Sequence, residues 1–120
     1  MKAIAFLATA DAQSACAFYR DTLGLELLED SPFALVFDAG GCLLRIQKVE
    51  EVVVAPYTAL GWSVDDIEAR VDELVGMGVE FQRYPGMEQD ERGIWNTPGA
   101  ARVAWFRDPD GNTLSLTSTS

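Results

Sequence analysis

The chain has 120 residues, 48% of them hydrophobic and 23% charged, with nine basic against nineteen acidic side chains and a formal net charge of −10. Those proportions suit one globular domain with an apolar core of its own. The acidic balance excludes a nucleic-acid binder, which needs a basic stripe against phosphates, and argues against an anionic membrane surface. Either it serves solubility alone or it mildly attracts cationic small molecules. Histidine is absent, which removes the commonest general base near neutrality and the commonest metal ligand together. No stretch reads as a signal peptide or membrane span, so a cytoplasmic protein is expected. Cys16 and Cys42 fall inside predicted elements without CxxC spacing and read as buried free thiols.

In chain order, Lys2 to Thr9 is short and apolar and predicts a strand. Asp11 then stands as a helix N-cap. Ala15, Phe18, Tyr19, Thr22 and Leu23 follow at helical spacing, and Gly24 supplies the stop. Phe18 and Leu23 are expected to face the sheet. Leu25 to Leu28 reads as a strand, and Phe33 to Phe37 with Cys42 to Gln47 as a hairpin. Residues 48–57 link to a second half that repeats the order. There Thr58 to Val64 is a strand, and Asp65 with Glu68 suggests a capping box. Ile67, Val71, Leu74 and Val75 form a helical stripe ended near Gly76 and Gly78, and Val79 to Gln82 is a strand. Ala101 to Phe106 and Thr113 to Thr117 pair around the turn sequence Asp108-Pro109-Asp110-Gly111. Disorder is expected only at Thr117 to Ser120.

Offsets make the repeat explicit. Asp11 to Gly24 and Asp65 to Gly78 both span thirteen positions, at an offset of 54. Gly41 maps onto Gly111 and Arg45 onto Ser115 at an offset of 70, so sixteen residues are inserted between Gln82 and Ala101. The expectation is one α+β domain over residues 1–120, built from two βαβββ modules whose curved mixed sheets surround a cleft. Module 1 covers about 1–48, module 2 about 58–118, and the polar insertion 83–99 carries Trp95. A loop of that length is functional or mobile, or else covers a sheet edge.

Two motifs carry a family likeness. Ala17-Phe18-Tyr19-Arg20-Asp21-Thr22-Leu23-Gly24-Leu25 and Trp105-Phe106-Arg107-Asp108-Pro109-Asp110-Gly111-Asn112 resemble the FYRDxLG helix end and DPDGN hairpin of the vicinal oxygen chelate superfamily. That superfamily includes glyoxalases, bleomycin-resistance proteins and extradiol dioxygenases, and the likeness spans nearly the whole chain. Both motifs specify fold, and Asp108 and Asp110 read as turn residues.

The resemblance implies four metal-ligand positions on cleft-facing strands, and here they hold Ile4, Arg45, Ala59 (Thr58 in the alternative register) and Ser115. Isoleucine and alanine have no donor atom, arginine repels a cation, and one serine hydroxyl is a poor ligand. The acids Glu88, Asp90 and Glu91 offer the remaining conceivable oxygen cluster. No metal and no cofactor is therefore expected. What remains is a ligand-binding cleft. Strand alternation puts Leu43, Arg45 and Gln47 on one face, and Ser115 on one face with Thr113 and Thr117. Phe6, Trp62, Trp95, Arg102 and Trp105 would add aromatic walls and a second cation. Arg45 reads either as an anion-binding fork or as half of an internal salt bridge. Trp62 reads better as core, and Trp95 as a ring that stacks on ligand.

By analogy with the resistance-type members, the expected function is sequestration of a drug or metabolite, aromatic or cationic, in a metal-free cleft. The alternative is a glyoxalase-like lyase or dioxygenase-related enzyme with a noncanonical site. The resemblance also implies a homodimer.

Overall fold

A computed structural model describes residues 1–119. The fold is α+β, with two helices and two four-stranded mixed sheets. It divides into two compact units. The first comprises Met1–Val54 with Asp108–Asn112, and the second Ala55–Arg107 with the last strand.

In the first unit the elements are β1 (Ile4–Thr9), α1 (Ala12–Ala17), β2 (Glu26–Asp30), β3 (Ala34–Asp38) and β4 (Leu43–Lys48). The sheet order is β1-β4-β3-β2, with β1 parallel to β4 and the other pairs antiparallel. Asp11 caps α1 by accepting from the Ser14 backbone N–H, and Gly24, at φ 75°, supplies the left-handed turn into β2. Between them the helix widens. Phe18–Thr22 forms a π-helical turn in which the Leu23 N–H donates to the Phe18 carbonyl at 2.9 Å. The ring that faces the sheet is consequently Tyr19, fully buried 5.8 Å from Phe37, while Phe18 and Leu23 are only half-buried. Leu7, Leu35, Phe37, Leu44 and Ile46 complete this core.

The Tyr19 hydroxyl donates to Asp108 at 2.6 Å, and Asp108 also accepts from Asp110 N–H, Asn112 N–H and Asn112 Nδ2. Asp110 accepts from Thr9 Oγ1 and Ala10 N–H, and Asn112 Nδ2 also reaches the Ala8 carbonyl. The two family-like motifs therefore meet in one buried polar network. Burial, reinforced by the Asp108 and Asp110 charges, pushes the Tyr19 phenol far above its ordinary range.

The second unit contains β5 (Leu60–Ser63), α2 (Ile67–Gly76), β6 (Trp95–Asn96), β7 (Arg102–Arg107) and β8 (Thr113–Ser118). Its order, β5-β8-β7-β6, repeats the first sheet, again with the outer strand parallel and the rest antiparallel. Ile67, Val71 and Leu74 pack α2 against Ala104, Phe106, Leu114 and Leu116 in the core. Three expectations need correction. The N-cap is Asp66, which accepts from Ala69 N–H, and not Asp65. Glu68 closes no capping box but ion-pairs with Arg102 at 3.0 Å and Arg92 at 3.5 Å. Residues 79–82 form no strand, because only a Phe81–Phe106 bridge and a Gln82 N–H to Trp105 carbonyl bond tie them to β7. The edge position is completed by β6, from within the insertion. At the C-terminal end Thr117 and Ser118 belong to β8, so the disorder expected there does not reach them, and Ser120 lies outside the described residues. Cys16 and Cys42 are free, and half-buried rather than buried.

Strand register refines the repeat. Phe6 pairs with Arg45 and Gly61 with Ser115, so β1 maps onto β5 at an offset of 55, as Asp11 does onto Asp66. Gly24 and Gly78 remain at 54. The first helix thus holds one residue more than the second, and its i→i+5 turn is where that residue is accommodated. Leu27 with Phe37 corresponds to Phe81 with Phe106, again at 54 for the edge strand, while Ala34 corresponds to Val103 at 69. Fifteen of the sixteen extra residues therefore precede β7, and the sixteenth lies in the turn before β8. The interruption falls where β2 carries its own irregularity, between Leu27 and Glu29. No helix among the described residues is long and apolar enough to cross a membrane.

Candidate functional site: the open sheet faces

Each sheet has one face covered by its helix. In the first unit the other face is read from the register, which aligns Phe6, Arg45 and Val36 across β1, β4 and β3. Ile4 lies beside Leu43, and Ala8 beside Gln47 and Ala34. The large apolar side chains here are left exposed: Phe6 is 55% accessible, Ile4 47% and Leu43 42%. Of the expected site residues, Phe6, Leu43, Arg45 and Gln47 are therefore brought together. Ile4, which the family likeness had already set on a cleft-facing strand, completes the face with Ala8 and Val36, and alternation along β1 from Phe6 could have found Ala8 too.

Arg45 is half-buried, and among the described residues its guanidinium makes no ion pair. The salt-bridge reading is not realised. The nearest acid by register on this face, Asp38, accepts from the Gly40 N–H of its own turn.

In the second unit the corresponding row is Gly61, Ser115 and Trp105. A Cβ at Gly61 would lie 2.4 Å from Ser115 Oγ, so the hydroxyl occupies the space a side chain would take. Trp105 lies with Trp95 at 6.1 Å and edge-on to Tyr84 at 5.5 Å, and its Nε1 donates to Thr58 Oγ1. Trp95, Trp105 and Ser115 thus share the open face, and Tyr84 joins them together with Thr58, the position that the alternative register had set on a cleft-facing strand. Trp62 and Arg102 do not join them. Trp62 aligns with Leu116 and Ala104, whose side chains pack beneath α2, and Arg102 reaches Glu68 of α2. Arg102 lies three positions from Trp105 on β7, so strand alternation itself sets the two on opposite faces, and the ion pair with Glu68 shows that Arg102 is on the helix side.

The insertion is built as structure. Gln89 accepts from Tyr84 N–H and donates to the Gln82 and Gly93 carbonyls, and Ile94 is fully buried. The side chain of Asp90 accepts from Arg92 and Ile94 N–H, and Glu91 lies 3.8 Å from Arg92. Among the described residues no three acidic or thiol side chains converge as a metal site. The four positions that the family likeness assigns to metal ligands, Ile4, Arg45, Ala59 and Ser115, offer a cation one hydroxyl, so they do not fit a divalent ion.

Residues 3–116 match the Glyoxalase/Bleomycin resistance protein/Dioxygenase superfamily. The chain belongs to that superfamily. A relative, the uncharacterized protein YraH of Bacillus subtilis (strain 168), is 30% identical over 121 residues, covering 88% of each chain. A putative glyoxalase family protein from Bacillus anthracis superposes with a TM-score of 0.78 at 18% identity, over 100% of this chain and 97% of that one. TnmS3, an antibiotic binding protein from Streptomyces sp. CB03234, gives 0.69 at 24% identity, over 100% and 98%. At these identities the two structural likenesses concern the fold. Within the superfamily frame, the Tyr19–Asp108 network accounts for both motifs as fold determinants.

Proposed function

We propose that the protein binds an aromatic small molecule against the open face of a sheet and sequesters it without a metal ion. The observation that carries this reading is the joint exposure of Phe6, Ile4 and Leu43 on one face around the polar groups of Arg45 and Gln47. An apolar surface with a few fixed polar groups is the usual composition of a ligand site, and its exposure is costly unless something covers it. The Trp95–Trp105–Tyr84 cluster gives the second face rings on which a planar ligand stacks. The antibiotic-binding character of TnmS3 supports the same class of function. An enzyme of the lyase or dioxygenase type is the weaker reading, because the ligand positions offer a metal one hydroxyl alone and no nucleophile–base pair is placed on either face among the described residues. The protein is proposed to act in the cytoplasm as a homodimer.

Titration with a panel of aromatic compounds tests the reading, with Trp95 and Trp105 as fluorescent reporters. Saturable quenching is expected, with the ligand recovered chemically unchanged on mass spectrometry. A panel without saturable binding, or turnover of the bound compound, would sink it.

A further inference from the structure

Nine basic side chains are distributed over this chain. Arg20, Lys48, Arg70, Arg92 and Arg102 each hold a carboxylate. Lys2, Arg83 and Arg107 are exposed, where water satisfies the charge. Arg45 alone is both half-buried and without a carboxylate partner among the described residues, although acids outnumber bases two to one. A partly desolvated guanidinium costs stability unless its fork of N–H donors is occupied. It stands on β4 between Phe6 and Val36 of the flanking strands, with Leu43 and Gln47 on its own strand. Donors in that fork match the two oxygens of a planar or tetrahedral oxyanion, and Phe6, Val36 and Leu43 beside it are apolar.

We propose that Arg45 is the anchor for an oxyanion, a carboxylate or phosphate-type group, on an amphipathic ligand whose apolar part rests on Phe6, Ile4 and Leu43. The proposal rests on the binding function above and reverses the charge expected from the acidic composition. The conflict is settled by range. Surface acids farther than about 8 Å are screened at physiological ionic strength, whereas a guanidinium in contact with its ligand is not. Arginine in a position where the family likeness places a metal ligand supplies positive charge without a metal ion, so the group it suits is an anion.

The test uses four matched probes on the full chain, 1-naphthoate, 1-naphthylmethylphosphonate, 1-naphthamide and 1-naphthylmethylammonium, followed by calorimetry. Naphthoate or the phosphonate is expected to bind at least about tenfold more tightly than the amide. Whichever anion is preferred distinguishes a carboxylate from a phosphate-type ligand. Arg45→Gln should erase that preference, so that acid and amide bind equally, and Arg45→Lys should keep part of it. Equal binding of acid and amide, or preference for the ammonium probe, overturns the anion assignment and leaves the binding function standing. Failure of all four probes overturns both. Arg45→Leu adds a readout independent of ligand. Its melting temperature should equal or exceed that of the parent, and a fall of several degrees would show that Arg45 holds the fold and overturn the assignment.

Discussion

Tyr19 shows how much one hydroxyl does. Its O–H enters an acceptor already receiving three N–H donors, and the ring fills the space between α1 and Phe37. Tyr19→Phe keeps the ring and removes one hydrogen bond to a carboxylate, a loss of about 1.5–3 kcal/mol. The pH dependence has a definite sign. The phenol is held protonated in the folded chain well above its ordinary value of 10.0. As pH rises past that value the unfolded chain loses its proton and the folded one does not. Stability therefore falls, by up to about 1.4 kcal/mol per pH unit from this residue. Tyr19→Phe lacks this contribution, so urea denaturation should show the gap between parent and variant narrowing from pH 9 to 11. A gap constant across that range would mean the buried phenol ionises as freely as an unfolded one.

At the scale of elements, the insertion is held by Ile94 and Gln89 rather than left loose. Ile94→Ala should cost about 2–5 kcal/mol for a fully buried side chain and expose residues 83–93 to limited proteolysis well before the rest of the chain. Uniform protection would show that other contacts hold the loop. The strands and their faces were legible because alternation is a local property, and it grouped Leu43, Arg45 and Gln47 correctly. The two-module order was legible because the turn glycines mark equal spacings. Three things were not local. The π turn looks like ordinary helical spacing until the hydrogen bonds are known. Asp65 and Asp66 are both able caps, and only packing of Ile67, Val71 and Leu74 chooses between them. The edge strand of the second sheet is cut after Gln82 and resumed at Trp95, and no window of sequence spans that gap. Arg102 was grouped with Trp105 against the strand period, which sets residues three apart on opposite faces, whereas Trp62 lies on the helix side as its core reading had it.

For the molecule as a whole, the donor set predicts indifference to divalent ions. Treatment with a chelator should leave the melting temperature unchanged, and an excess of manganese, nickel or zinc should not raise it, since a ligand stabilises only by binding the native state. A rise of several degrees with one ion, accompanied by stoichiometric metal in elemental analysis, would contradict the reading of Ile4, Arg45, Ala59 and Ser115. The network around Tyr19 has a further consequence, for the order in which the protein can be made. Thr9 bonds to Asp110 across 101 positions and Ala8 to Asn112 across 104. Contacts of such separation slow folding, because the intervening chain must be closed into a loop before they form. A ribosome delivers the N-terminal half first, yet that half cannot complete its polar interior until residues 108–112 have emerged. Emergence of residues 108–112 thus precedes closure of the first unit, and until then Tyr19 lacks its acceptor.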